Sequence, residues 1–336
     1  MSECAEGKLQ ETILAHGSPA LDVKFSCKST FVASCSKDKT AKVFDTASFE
    51  EVHALRGHHD RVNAVAFSPT SDDILATASK DKTVRVWSVA TGSVLRTMRG
   101  HRMEVTDVCF GPDGRSIASA SVDQTLLLWV TGTGELTAKL SGHKAPVLTC
   151  GFSPPGRRLL ASGAEDSSIM LWNAATRRKL KTLTGHRDAV TAVAFSPLDD
   201  RILVSGSRDA TVIAWGIDTG DRLAVFDAHQ DAITGVAFSP DGWLLASACA
   251  DETARVWDMQ TSKCLALMHG HKRSISSCDF SSNGLMLATA SWKATSKSGI
   301  FQVGAYLAVN TATSTSTARF FLLFFRYLLA LLLLYG

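Results

Sequence analysis

Apolar and polar positions alternate along this chain in bursts of five to seven residues, each ended by a turn, which is the signature of short β-strands. Between His58 and His101, residues 61–67 alternate, with Val62, Ala64 and Phe67 apolar and Val65 interrupting the strict order. Residues 68–73 hold Pro69 and two aspartates and read as a turn. Residues 74–79 form a short apolar run that suits a buried strand. Lys80, Asp81 and Lys82 make a tight turn, residues 83–87 alternate again with β-branched members, and Ala90, Thr91 and Gly92 turn the chain into a fourth strand over 93–98. The stretch therefore predicts four short antiparallel strands joined by hairpin turns.

The same register recurs along the chain. A histidine is followed nine positions later by phenylalanine seven times: His16 and Phe25, His58 and Phe67, His101 and Phe110, His143 and Phe152, His186 and Phe195, His229 and Phe238, His271 and Phe280. Successive histidines lie 42 or 43 positions apart. A fixed period of that size means stacked copies of one supersecondary unit. Four strands per copy describe one propeller blade, so the predicted fold is all-β, a seven-bladed β-propeller. An apolar residue precedes each histidine by three: Ile13, Leu55, Met98, Leu140, Leu183, Phe226 and Met268. An aspartate recurs in the second hairpin turn (Asp38, Asp81, Asp123, Asp166, Asp209, Asp251). Each has a hydroxyl four residues before it (Ser34, Thr77, Ser119, Ser162, Ser205, Ser247) and a large aromatic six after it (Phe44, Trp87, Trp129, Trp172, Trp215, Trp257).

This combination resembles the WD-repeat family over about residues 9–291. The matching residues are Gly57-His58, Gly100-His101, Gly142-His143, Gly185-His186 and Gly270-His271, with Trp257-Asp258 as the intact Trp-Asp dipeptide. The resemblance implies a hydrogen-bonded tetrad within each blade: His58, Thr77, Asp81 and Trp87; His101, Ser119, Asp123 and Trp129; His143, Ser162, Asp166 and Trp172; His186, Ser205, Asp209 and Trp215; His229, Ser247, Asp251 and Trp257. A buried imidazole, carboxylate and indole N–H each need a partner, and each satisfies another. Serine, histidine and aspartate are also the parts of a hydrolase triad. A triad occurs once at an exposed site, whereas this set recurs six times with its hydroxyl inside a strand, so it reads as structural.

The resemblance also implies that the N-terminal strand, residues 8–14, joins the last blade as its outermost strand and closes the ring. Ile13 matches Leu55 in register. That last blade is irregular: Lys293 stands where the aspartate belongs and Gly299 where the tryptophan belongs. The expected domains are a propeller over 8–304, a Ser/Thr/Ala-rich linker over 305–318 and a hydrophobic tail over 319–336. The tail is almost wholly Phe and Leu, interrupted by Arg326, and is short of the ~20 residues of a usual membrane helix. Three readings of it stand together: an anchor in an intracellular membrane, a buried or partner-bound helix, or an aberrant read-through end.

Composition narrows the function. The chain has 336 residues and a net charge of +3, with no long basic run, so nucleic acid is not an expected partner. Its eight cysteines form no C-x-x-C pair, and Cys150 and Cys278 take a repeat position held elsewhere by valine; they read as small apolar side chains rather than disulfides or metal ligands. The polar start, residues 1–10, does not resemble a secretory signal, and a cytoplasmic or nuclear setting is expected. No H-x-E, Walker or G-x-S-x-G pattern is present, so no cofactor, metal or enzyme activity is expected.

In this family partners usually dock on the face that carries the histidine loops and aspartate turns. The candidate rim is Lys37, Lys80, Glu165, Arg208 and Trp292 before the aspartate positions, and Arg102, Lys144 and Arg187 after the histidines. The expected function is a non-catalytic scaffold or adaptor binding other proteins, with acidic segments favoured by the basic residues. One alternative is the substrate receptor of a ubiquitin ligase, weakened because Trp257-Asp258-Met259-Gln260 lacks the arginine of the Trp-Asp-x-Arg pattern. An enzyme acting through the central channel is an alternative of another class.

Overall fold

The structure, a computed structural model, describes residues 5–6, 8–292 and 299–305. Its strands form seven sheets. Six are regular blades, and the seventh is partial. In blade two the strands run Val62–Ser68, Ser71–Ser79, Thr83–Ser88 and Val94–Arg99, in sequence order from the channel outward. The second strand starts at Ser71 rather than at the expected residue 74, because Ser71 pairs with Ser68 and leaves only Pro69 and Thr70 to turn the chain. The seventh sheet holds Ile275–Phe280, Met286–Trp292, Gly299–Ala305 and, outermost, Lys8–His16. Lys8–His16 runs antiparallel to Gly299–Ala305, with Ile13 opposite Phe301. Ahead of it, Ala5–Glu6 lies parallel to Cys264–Met268 at the edge of the sixth blade, a pairing with no counterpart in the sequence expectation. Lys293, the linker beyond 305 and the tail over 319–336 lie outside the described residues. Among the described residues no helix is long and apolar enough to cross a membrane.

The core lies between blades. One cluster joins Ala64, Ala76 and Val86 of blade two to Val105, Ile117 and Trp129 of blade three, and others repeat this around the ring. Sheets buried on both faces need apolar residues on both, which explains why the middle strands are apolar runs such as Leu159–Ala164. Outer strands have one buried anchor each: in Val94–Arg99 only Met98 is buried. In blades one to five these anchors are the apolar residues three before the histidines, with Leu55, Met98 and Phe226 at 1% exposure, whereas in blade six Ala266 is buried and Met268 is half-buried.

Every inner strand carries a β-bulge at the same place, between Val62 and Ala64 in blade two and between Val105 and Asp107 in blade three. The bulged residue is left unpaired in its own ladder. In five blades its side chain instead donates to the first inner-strand carbonyl of the next blade. Asn63 reaches Val105 O at 2.7 Å, Thr106 reaches Val147 O at 2.7 Å, Thr191 reaches Ile233 O at 2.6 Å, and Thr234 reaches Ile275 O at 2.7 Å. Ser276 of the last blade reaches Ala20 O of the first at 2.9 Å.

Candidate functional site: the histidine face and the channel behind it

The second hairpin turn of each blade projects its aspartate back over the strand ends, where the histidine loop meets it. In blade two His58 Nδ1 lies 2.8 Å from Asp81 Oδ2, and Nε2 lies 2.7 Å from Thr77 Oγ1. Trp87 Nε1 donates to the same hydroxyl at 2.9 Å. The directions follow from the donors available. The indole only donates and the carboxylate only accepts, so the Thr77 hydroxyl hydrogen points to Nε2 and Nδ1 carries the ring proton. The glycine before the histidine is there for room: a Cβ on Gly100 would lie 2.9 Å from the Trp129 ring.

The same chain of bonds links His101, Asp123, Ser119 and Trp129 (3.0, 2.7 and 2.9 Å), and His143, Asp166, Ser162 and Trp172 (3.1, 2.8 and 2.9 Å). It links His186, Asp209, Ser205 and Trp215 (2.9, 2.7 and 2.8 Å), and His229, Asp251, Ser247 and Trp257 (2.9, 2.7 and 2.8 Å). In blade one His16 bonds Asp38 and Ser34, while Phe44 has no indole to add. In blade seven His271 Nε2 meets Thr289 at 2.8 Å, and among the described residues its Nδ1 has no partner.

A fifth member escaped the sequence reading. The residue two after each aspartate is Thr or Ser in six blades, and its hydroxyl donates to the carboxylate: Thr83 to Asp81 Oδ1, Thr211 to Asp209 Oδ1 and Ser168 to Asp166 Oδ1, each at 2.6 Å. The signal was present as Asp-x-Thr/Ser. Burial works against the charge of Asp81, but its bonds from His58 and Thr83 outweigh this and hold the carboxyl well below the usual range. Asp38 and Asp209 are held to about 2 in the same way. Burial pushes His58, His143, His186 and His229 down, against their aspartates, and takes His271 to about 4. The result is a neutral imidazole beside an ionised carboxylate. The central hydroxyl is saturated by two bonds and buried, with Thr77 and Ser119 at 0% exposure. Such a hydroxyl has no route to a substrate.

His229, Cys249 and Asp251 bring ligand-type atoms within 4.8 Å of one another. Cys249 occupies the place of Ser79 and Ser207 in other blades and copies their bonds, accepting Asp251 N–H at 3.3 Å and donating to Asp231 O at 3.1 Å. Burial pushes its thiol up to about 12. The three atoms are already committed to the blade's own hydrogen bonds.

The aspartates also fix the exposed loops. The backbone N–H groups of Arg102, Lys144 and Arg187 donate to Asp123, Asp166 and Asp209 at 2.9, 2.9 and 2.8 Å, leaving their side chains exposed on the face. Lys80 is likewise exposed. Other expected rim residues meet each other. Lys37 Nζ sits 3.6 Å over the Trp292 ring, and Arg208 lies 3.5 Å from Glu165. Arg61 pairs with Glu104 at 2.6 Å, a contact the sequence did not reveal because the two belong to neighbouring blades.

The channel behind this face has a volume of about 750 Å³. The sequence reading named no channel residues, yet Asp22, Lys24 and Asp107 line it, and Asp279 joins them through Lys24 at 3.7 Å. Each acid is used to bind strands. Asp22 accepts Val65 N–H at 3.0 Å and the Ser277 hydroxyl at 2.6 Å; Asp107 accepts Cys150 N–H and Asp279 accepts Phe25 N–H, both at 2.8 Å. Burial raises Asp107 to about 6.

A sequence model described as WD domain, G-beta repeat, matches residues 7–45, 49–88, 92–130, 134–173, 177–216, 220–258 and 262–297. The chain belongs to the WD-repeat family. The first six repeats so matched each take the outer strand of one blade and the three inner strands of the next, and the seventh, ending at 297, takes Cys264–Met268, Ile275–Phe280 and Met286–Trp292. WD-repeat proteins generally act as protein-interaction scaffolds. Local similarity extends to Dynein assembly factor with WD repeat domains 1, 39% identical in Danio rerio and 40% in Mus musculus over 67 residues, which is 20% of this chain and 16% of each of those proteins. Nuclear distribution protein PAC1 of Gibberella zeae is 36% identical over 67 residues, 19% of this chain and 15% of that protein.

Proposed function

We propose that this WD-repeat chain is a non-catalytic scaffold that docks acidic protein segments on its histidine face. The observation that carries this is the arrangement of Arg102, Lys144 and Arg187: the tetrad aspartates pin their backbones while their side chains stay free of ion pairs among the described residues. A rigid loop bearing an unpaired cation loses little entropy on binding a carboxylate. Lys37 on Trp292 adds an aromatic, cationic anchor of the kind that dominates interfaces. Enzyme action finds no support in the tetrads, whose hydroxyls are buried, or in the channel acids, which are spent on neighbouring strands. The relatives named for dynein assembly and nuclear distribution suit a cytoplasmic assembly role, and they share less than a fifth of their length with this chain. The test is affinity capture with mass spectrometry, wild type against the triple variant Arg102→Glu, Lys144→Glu, Arg187→Glu. Partners captured by the wild type, released by salt and lost from the variant support the reading. Capture that ignores both salt and the variant overturns it.

We also propose that Lys8–His16 closes the ring. Its antiparallel register against Gly299–Ala305 supports this, as a covered edge prevents sheet-to-sheet aggregation.

A further inference from the structure

Two thiols of adjacent blades face each other beside the channel. Cys109, on Val105–Phe110, and Cys150, on Val147–Phe152, have their sulfurs 3.4 Å apart. The strands that carry them are clamped at this point by Thr106 to Val147 O and by Cys150 N–H to Asp107. Both cysteines line the channel; Cys109 is half-buried and Cys150 is buried. Among the described residues no other two cysteine sulfurs are within hydrogen-bonding reach. A disulfide needs about 2.05 Å between sulfurs, so the two must close by roughly 1.4 Å, which small rotations of both side chains can share.

We propose that Cys109 and Cys150 form an inter-blade dithiol that a small peroxide entering the channel converts reversibly to a disulfide. Cys109 sulfur attacks one peroxide oxygen; the O–O bond breaks, hydroxide leaves and takes up the thiol proton as water, and Cys109 becomes a sulfenic acid. Cys150 sulfur then attacks Cys109 sulfur; the S–S bond forms, the S–O bond breaks, and the departing hydroxide takes the Cys150 proton as a second water. Two thiols are oxidised by two electrons and one peroxide is reduced. The Cys109 hydrogen bond and burial hold the Cys150 thiol well above its ordinary value, so it rests protonated. The crosslink would span 41 positions and fasten blade three to blade four at their inner edge.

The test uses the reduced full chain, treated with hydrogen peroxide, alkylated and digested without reduction. The expected product is one crosslinked peptide pair joining Cys109 to Cys150, two hydrogens lighter than the thiols, reversed by dithiothreitol and absent from Cys109→Ser and Cys150→Ser. The oxidised wild type should melt several degrees higher than the reduced form. Wild-type digests in which both residues remain alkylated, in which Cys109 stops at a sulfinic acid, or in which either crosslinks elsewhere overturn the proposal, whether or not the variants fold.

Discussion

Blade two and blade seven are built on the same strand plan and differ in how the plan is fastened. In blade two His58 is held at both nitrogens, and Asp81 accepts from His58, the His59 backbone, and both the backbone and hydroxyl of Thr83. In blade seven His271 keeps only its bond to Thr289 among the described residues, and burial drives it to about 4. Blade seven compensates elsewhere: its inner strand is tied to blade one through Ser276 to Ala20 O, Ser277 to Asp22 and Asp279 to Phe25 N–H. The lesson is that a repeat can lose its internal tetrad when its neighbours hold it from the sides.

The largest effect should come from removing what blade seven borrows. A chain starting after Ala15 lacks the outer strand of that sheet, and its melting temperature should fall by about 10 °C or more, or the chain should aggregate through the bared edge. An unchanged melt would dissolve the contrast between the two blades. Next is Asp81→Ala, which strands four donors around a buried site; urea unfolding should show a loss of about 3 kcal/mol. Trp87→Phe removes one donor and keeps the ring, and should cost about 1 kcal/mol. In blade seven Thr289→Val, at the place of Thr77, should cost less than about 1 kcal/mol because its network is already cut. A loss there as large as that of Asp81→Ala would contradict the reading.

The pH response separates the blades more finely. A histidine whose folded value lies below its unfolded one is protonated first in the unfolded chain, so stability is lost as pH falls from about 6.5 toward the folded value. His271, at about 4, spans the widest such window, and the urea midpoint of His271→Gln should fall less between pH 6.5 and 4 than that of the wild type. The aspartates act lower. Asp38 and Asp209 contribute fully above about 3.9 and lose that contribution as pH drops toward their folded value of about 2.

The parts of this structure legible in the sequence are those that recur within one blade. The period of 42 or 43 residues sets the blade count, and the spacing of His58, Thr77, Asp81 and Trp87 points to their cluster. Thr83 is equally periodic, two positions from Asp81, but a hydroxyl beside a turn is commonplace and carries little signal by itself. The rest depends on the next blade. Asn63, Thr106 and Thr234 look like ordinary polar residues in a strand until the bulge turns them outward to another blade's carbonyl. Asp22, Asp107 and Asp279 occur at one or two blades only, so no period announces them.

The outward-turned bulge residues have a consequence for how the disc bears load. They pass one grip from blade to blade, but Leu21 and Leu148 take that position in blades one and four and have no hydrogen to give from their side chains. The circle is therefore two chained arcs, blades two to four and blades five through seven to one. Between the first and second blades Asp22 supplies a substitute through Val65 N–H. The boundary after blade four is spanned on the histidine face by Glu165 and Arg208. Arg157 ties the same two blades through Asp200 and Asp218. A protein gripping Glu165 and Arg208 together would add a rivet at a joint that lacks the relayed grip, so occupancy of the face and resistance to opening would rise as one.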